Sequence, residues 1–540
     1  MRKIIQQIIF LAVFLTISPA LVAQISHGGK PHSFQKNLFL QRLQPETMPY
    51  QDNDLLIEKE RYVSKTKADF TFGEEIPVNY TLENSGVWDT LPDGSRLWRL
   101  GIYSANAYSL NLVFDTFYIP AGSNLFIYTA DKSFVRGSFT EENNNRWGNF
   151  ATALFPNDEI VLEYYEPANN KGLGKINLTT VVHGYKDFFF KQGTYGSAVG
   201  NCHINVNCSE GNNFQLVKRA VALILSYGSA LCTGTLINNT AQDGKPYFLT
   251  ANHCLGSNPS RWVFVFNYES SDCKEDIQQP IYSYNGATLV ATHTHSDFAL
   301  LLLNDTPAKE AMPYYVGWDR RNIAVAGTAG IHHPLGDLKK ISVSKSLIRS
   351  SKWEDSDRTF PNNTHWEVVV WNKGTTEGGS SGSGLFNVFQ QLIGQLHGGH
   401  AGCSGTNPNG YGDWYGKFSY SWTNGNSADH NRLDYWLDPV NSGIEVLNGY
   451  NPVGVNTVDY DKTEDKISVF PNPASDKISL EADVEMFFCA IYAVDGQYLE
   501  EIPIHSPKTD IWLNSYATGI YLFKIKTEKG LVHKKIVIRK

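Results

Sequence analysis

The chain has 540 residues, 42% of them hydrophobic, enough for three or four domains with packed cores. A formal charge of −8 is mild for that length and excludes the broad basic surface that a nucleic-acid partner needs. Aromatic residues reach 13%, and 45 glycines accompany them, a mixture that suits β-rich, loop-rich domains rather than helical bundles.

At the start, Arg2 and Lys3 precede an apolar stretch over 8–22, with Ala20 and Ala23 at its end. This pattern predicts a secretory signal over 1–23, removed on export. Ser18-Pro19 interrupts the stretch, which is short for a membrane anchor, and no later segment is long and apolar enough to span a bilayer. Residues 24–70 are weakly patterned. Strand-like runs then follow at 97–102, 110–114, 125–128 and 160–165, separated by turns such as Pro92-Asp93-Gly94 and Pro120-Ala121-Gly122. They predict a β-sandwich-like region within 24–195. A junction follows, where Phe188-Phe189-Phe190-Lys191 gives way to the small residues of Gln192-Gly193-Thr194-Tyr195-Gly196. The next domain, 196–450, holds six of the seven cysteines, from Cys202 to Cys403. An even cluster behind an export signal predicts disulfides, although spacing alone leaves their pairing open. After a linker over 451–465, short strands at 467–470, 477–480, 487–493, 520–525 and 535–538 form a third β domain over 466–540, with Asp495-Gly496 as a hairpin turn. Cys489 lies there in an apolar run and is expected to be a small buried residue.

Chemistry concentrates in the middle domain. Phe248-Leu249-Thr250-Ala251-Asn252-His253-Cys254 ends a strand in a small-residue turn bearing one histidine. Ser296-Asp297-Phe298-Ala299-Leu300 puts one acid at the mouth of an apolar strand, and Gly379-Ser380-Ser381-Gly382-Ser383 surrounds a serine with small residues. A serine hydroxyl needs a neighbouring base, imidazole suits neutral pH, and a carboxylate holds the imidazole in the right tautomer. The amides of Gly379 and Ser381 are the expected donors to a tetrahedral oxyanion. Singly, each motif reads as a linker, a structural histidine or a turn acid. Their chain order of His, Asp, Ser within one domain points to nucleophilic catalysis. The pairs His332-His333, His293 with His295, and His397 with His400 lack the helical spacing and glutamate of a metallopeptidase, so no metal site is expected.

From about 196 to 450 the chain resembles the lysyl endopeptidases, a secreted branch of chymotrypsin-like serine peptidases. The resemblance is carried by Asn201-Cys202-His203-Ile204, Cys232-Thr233-Gly234-Thr235-Leu236, Tyr247-Phe248-Leu249-Thr250-Ala251-Asn252-His253-Cys254, Ser296-Asp297-Phe298, Gly317-Trp318-Asp319-Arg320-Arg321, Ile331-His332-His333-Pro334, Gly379-Ser380-Ser381-Gly382-Ser383 and Gly394-Gln395-Leu396-His397-Gly398-Gly399. It implies an all-β chymotrypsin-like double barrel, a triad of His253, Asp297 and Ser381, and no cofactor. It also implies that Asp413, in Asp413-Trp414-Tyr415-Gly416, binds a substrate lysine. Thr375 occupies the position of trypsin's pocket acid, and Glu377 is the rival acid nearby. Trp353 and His397 would pair beside the catalytic histidine, and the backbone at Gly398 and Gly399 would receive the substrate chain as an added strand. The resemblance further implies the disulfides Cys202–Cys403, Cys208–Cys273 and Cys232–Cys254.

The tail resembles the sorting domain of the type IX secretion system of Bacteroidetes through Phe470-Pro471-Asn472-Pro473-Ala474, Gly519-Ile520-Tyr521 and the basic end from Lys534 to Lys540. It implies export through the periplasm and outer membrane to the cell surface or beyond, with that machinery as a partner. The N-terminal region then reads as a propeptide cut after Lys191, with Lys186 as runner-up. The expected activity is that of a monomeric endopeptidase acting after lysine on protein substrates. Arg or mixed specificity is the alternative within enzymes, and an inactive peptidase fold serving as a surface binding protein is the alternative outside them.

Overall fold

The computed structural model describes residues 28–35, 38–63, 70–186, 202–226, 229–256, 258–274, 281–354, 361–423, 428–453, 467–493, 498–528 and 531–540. The signal segment and the junction bearing Lys191 lie outside them. Among the described residues no helix is long and apolar enough to cross a membrane. Two compact units are present, 1–452 and 453–540.

In the N-terminal region, the four predicted runs extend into the strands Arg96–Tyr103, Ser109–Tyr118, Asn124–Thr129 and Glu159–Glu166. A six-stranded and a five-stranded sheet result, and Trp98, Leu112, Phe114, Ile127, Phe155 and Leu162 fill one core. The helix Asn53–Val63 lies in the stretch read as weakly patterned; the Asp52 carboxylate accepts from Leu55 N at 3.1 Å, as an N-terminal cap does.

The cysteine-bearing region builds two larger sheets. An eight-stranded sheet contains Val221–Ser226, Ser229–Leu236, Tyr247–Ala251, Val263–Phe266 and Phe298–Leu303. A ten-stranded sheet contains Thr328–His332, Gly384–Phe386, Leu392–Gly399 and Asp413–Lys417. Their inward side chains meet in one core that includes Ile224, Phe264, Leu301, Trp318, Phe386 and Leu392.

Strand alternation explains how the N-terminal region joins this body. Ala222, Ile224, Phe264 and Phe266 face the barrel core. Leu223, Leu225, Val263 and Val265 point outward, where they pack with Phe72, Val113, Ala153 and Val182 of the N-terminal region. The short strand Phe70–Thr71 also pairs with Ser229 and Ala230, adding an edge to the barrel. Arg136 Nη1 donates to Ser283 Oγ at 3.1 Å, and Asn149 Nδ2 to Ser260 Oγ at 3.0 Å, across the same seam.

The described residues of the C-terminal unit form a five-stranded sheet. The runs expected at 477–480 and 487–493 are a single strand, Lys477–Ala493, whose register shifts between Glu481 and Met486. Its partner Tyr498–Trp512 was not expected, because Pro503 and Pro507 argue against a strand. The two run antiparallel on either side of Asp495-Gly496, whose own residues are not described. Cys489 is buried and free in this core.

Candidate active site

Register alone brings His253 and Asp297 together. Tyr247–Ala251 and Phe298–Leu303 are antiparallel, with Ala251 opposite Phe298. One strand ends two residues before His253 and the other begins one residue after Asp297, so both side chains emerge at the same edge. Asp297 is 2% exposed and adopts a left-handed φ of 54°. One carboxylate oxygen accepts from the His253 backbone N–H at 2.9 Å and the other pairs with His253 Nδ1 at 2.7 Å. This leaves the opposite face of His253, whose side chain is 39% exposed, open toward solvent. The disulfide Cys232–Cys254 fixes the same turn to the neighbouring strand. Cys202–Cys403 and Cys208–Cys273 are also formed, the pairs that the resemblance implies.

Ser381 reaches this edge from the ten-stranded sheet. Its carbonyl accepts from Thr233 N at 2.8 Å, and Thr233 Oγ1 donates to the Gly379 carbonyl at 2.9 Å. A Cβ on Gly382 would collide with Thr250 Oγ1, three residues from His253. Thr250 Oγ1 in turn donates to the Thr233 carbonyl at 2.9 Å. The serine loop therefore lies against the strand that carries the histidine. A Ser381–His253 side-chain hydrogen bond is not formed among the described residues; such bonds often tighten only when substrate binds. Gly379 has a φ of 84°, and neither its amide nor that of Ser381 has an acceptor among the described residues, as an oxyanion site requires. Next to the serine, Ser380 Oγ bonds His332 Nδ1 at 2.8 Å, and Ser342 Oγ holds the other ring nitrogen at 2.9 Å. Burial drives the pKa of His332 well below its ordinary value, so this ring stays neutral.

Asp413 is fully buried, in register with Gly399 on one side and Val368 on the other. Its Oδ2 accepts from Trp371 Nε1 at 2.7 Å and from Thr376 Oγ1 at 2.6 Å. A Cβ on Gly399 would strike Asp413 Oδ1, so only glycine lets the backbone approach the carboxylate this closely. Glu377, by contrast, is half-buried, and its Oε1 accepts from Cys403 N at 2.9 Å. Thr375 is buried.

His397 lies between two rings. It stacks on Trp353 at 4.0 Å between centroids and on His253 at 5.6 Å, with interplanar angles of 21° and 20°. Trp353 thus reaches His253 through His397. Gly398 lies beneath the Trp353 ring, where a Cβ would come within 3.1 Å of it. Three groups of described residues offer metal-ligand atoms within 4.8 Å of one another. Two of them rely on disulfide-bonded cysteines, and the third is His253, Asp297 and His397, whose atoms are engaged with each other. Thr233, His365, Trp371 and Thr376 are the site neighbours that sequence reasoning missed. Thr233 alone carried a signal, since it lies in a quoted block.

Residues 196–416 match the family described as the lysyl endopeptidase C-terminal domain. Residues 468–539 match the secretion system C-terminal sorting domain, which assigns the chain to export to the cell surface or beyond. A lysyl endopeptidase of Pseudomonas aeruginosa is 28% identical over 359 residues, covering 62% of this chain and 75% of that one. A solved Mycobacterium tuberculosis structure, titled as the inactive form of a serine-to-alanine mutant, is 17% identical and covers 38% of this chain and 85% of that one, with a TM-score of 0.26.

Proposed function

We propose, from the premise that residues 196–416 are a serine endopeptidase domain of the lysyl endopeptidase type in an exported chain, that the enzyme cuts peptide bonds on the carboxyl side of lysine through an acyl-enzyme. Ser381 attacks the carbonyl, and His253 takes its proton and later returns it to the leaving amine. Asp297 holds the imidazole and stabilises its cationic form. The amides of Gly379 and Ser381 receive the oxyanion. Peptide alone is needed, with no cofactor.

The observation that carries the lysine reading is Asp413, a fully buried carboxylate against the backbone of Gly399. A substrate ammonium is its natural counter-charge, and burial makes an uncharged competitor a poor match. Glu377 is the weaker candidate because it is half-buried and engaged by Cys403 N.

The division into signal (1–23), propeptide (24–195), peptidase (196–450), linker (451–465) and sorting domain (466–540) belongs to the same proposal, as does action as a monomer. The N-terminal region's seam on the outer face of Val221–Ser226 and Val263–Phe266 supports a role in folding the barrel. Lys191 suits self-cleavage, and an N-terminus before residue 186 in the secreted enzyme would refute it.

The test is digestion of a mixed proteome with mapping of the cut sites. Cuts after lysine support the proposal; equal cutting after arginine replaces it with mixed specificity. No cutting, and no Ser381-dependent fluorophosphonate labelling, would leave only a binding protein. Asp413→Asn is expected to abolish the basic preference while Ser381 still labels.

A further inference from the structure

His397 can present either ring nitrogen as its N–H, and stacking between Trp353 and His253 does not choose between them. A proton count on its neighbours does. Thr364 Oγ1 lies 3.1 Å from the Pro361 carbonyl and 2.8 Å from His365 Nδ1. The hydroxyl has one hydrogen. Both contacts are satisfied only if that hydrogen goes to Pro361 and His365 donates its Nδ1–H to Thr364 Oγ1. His365 Nε2 is then bare. It lies 3.0 Å from His397 Nδ1, which must be the donor. His397 Nε2 faces Asp297 Oδ2, 3.7 Å away, an acceptor for any second proton that this nitrogen carries while Nδ1 still donates to His365. His365 has no exposed surface, and burial, with His397 adding to it, pushes its pKa down to about 3. It therefore stays a neutral acceptor at any working pH.

We propose that His365 is a positioning residue for the reaction, an Nδ1–H tautomer that accepts the His397 Nδ1–H and so holds His397 flat against His253 with its Nε2 toward Asp297. It touches neither substrate nor the reacting atoms and acts through His397. Without this acceptor, His397 loses the hydrogen bond that distinguishes its two ring orientations, and the wall beside the His253–Asp297 pair is held less firmly. The inference rests on the peptidase reading for its functional half only.

Neutron diffraction from deuterated crystals of the full-length Ser381→Ala chain tests the proton assignment without needing activity. Deuterium on Nδ1 of both His365 and His397 is expected; deuterium on His365 Nε2 overturns the proposal. Kinetics on the wild-type background test the consequence, with active sites titrated by fluorophosphonate. His365→Phe, which cannot accept, should lower kcat roughly tenfold at unchanged KM, a small part of the ~10²–10⁴ that a positioned base supplies. His365→Gln, whose amide oxygen accepts in place of Nε2, should recover most of that loss. Equal kcat for the two variants refutes the proposal. Absence of activity in the parent enzyme would instead refute the peptidase reading, and the neutron result would still decide the tautomer.

Discussion

The two sides of the proposed catalytic site are built by different means. The base side is local: His253 and Asp297 leave adjacent antiparallel strands at one edge, and Asp297 accepts from both the backbone and the ring of His253. The nucleophile side is borrowed. Ser381 belongs to the other sheet, and Thr233 of the first sheet holds its loop by one backbone and one side-chain bond. The difference teaches that the base is fixed within its own barrel, whereas the serine is aligned only while the two barrels stay docked.

Removing the base side's carboxylate gives the largest expected effect on that contrast. Asp297→Asn keeps the size of the side chain but offers one acceptor oxygen for two donors. The imidazole then loses its enforced tautomer, and kcat is expected to fall about 10⁴-fold. A loss under tenfold would mean that His397 can replace Asp297 as the orienting group.

Thr233→Val is expected to do less, and only on the nucleophile side. It removes the hydroxyl that donates to Gly379 and accepts from His333 N at 3.0 Å, but keeps the backbone bond to Ser381. A loosened loop is expected to lower kcat by about 10- to 100-fold while KM and the fold are preserved. Wild-type kcat in this variant would show that docking does not depend on Thr233.

The smallest effect concerns stability. His332, His333 and His365 lie buried on the nucleophile side with pKa values pushed down by burial, those of His333 and His365 to about 3. In the unfolded chain they titrate near 6.5, so that chain binds more protons below that pH. Their contribution is complete above about pH 6.5 and is lost as pH falls toward 3, by at most about 1.4 kcal/mol per pH unit each. The melting temperature of Ser381→Ala protein should fall between pH 7 and pH 4. His365→Gln should flatten that slope, and an unchanged slope would place the titration elsewhere.

What the sequence disclosed follows the same division. His253, Asp297 and Ser381, the proposed triad, sit in short motifs whose residue types suggest that chemistry. In the N-terminal region the runs at 97–102 and 160–165 are legible from their apolar residues. Trp371, Thr376, His365 and Thr233 act through contacts that no local pattern encodes; Thr233 meets Gly379 across 146 positions of chain. The helix Asn53–Val63 escaped because its charged residues dilute its apolar face, and the strand Tyr498–Trp512 because of its prolines. In the strand's case tertiary pairing outweighs local preference.

The bridge between Cys232 and Cys254 spans a single step between the two halves of the machinery. One sulfur adjoins the turn of the base, and the other adjoins Thr233, the residue that grips the serine loop. The redox state of the surroundings therefore decides whether these two segments are covalently joined. Where thiols are kept reduced this tie is absent; in an oxidising compartment it can close.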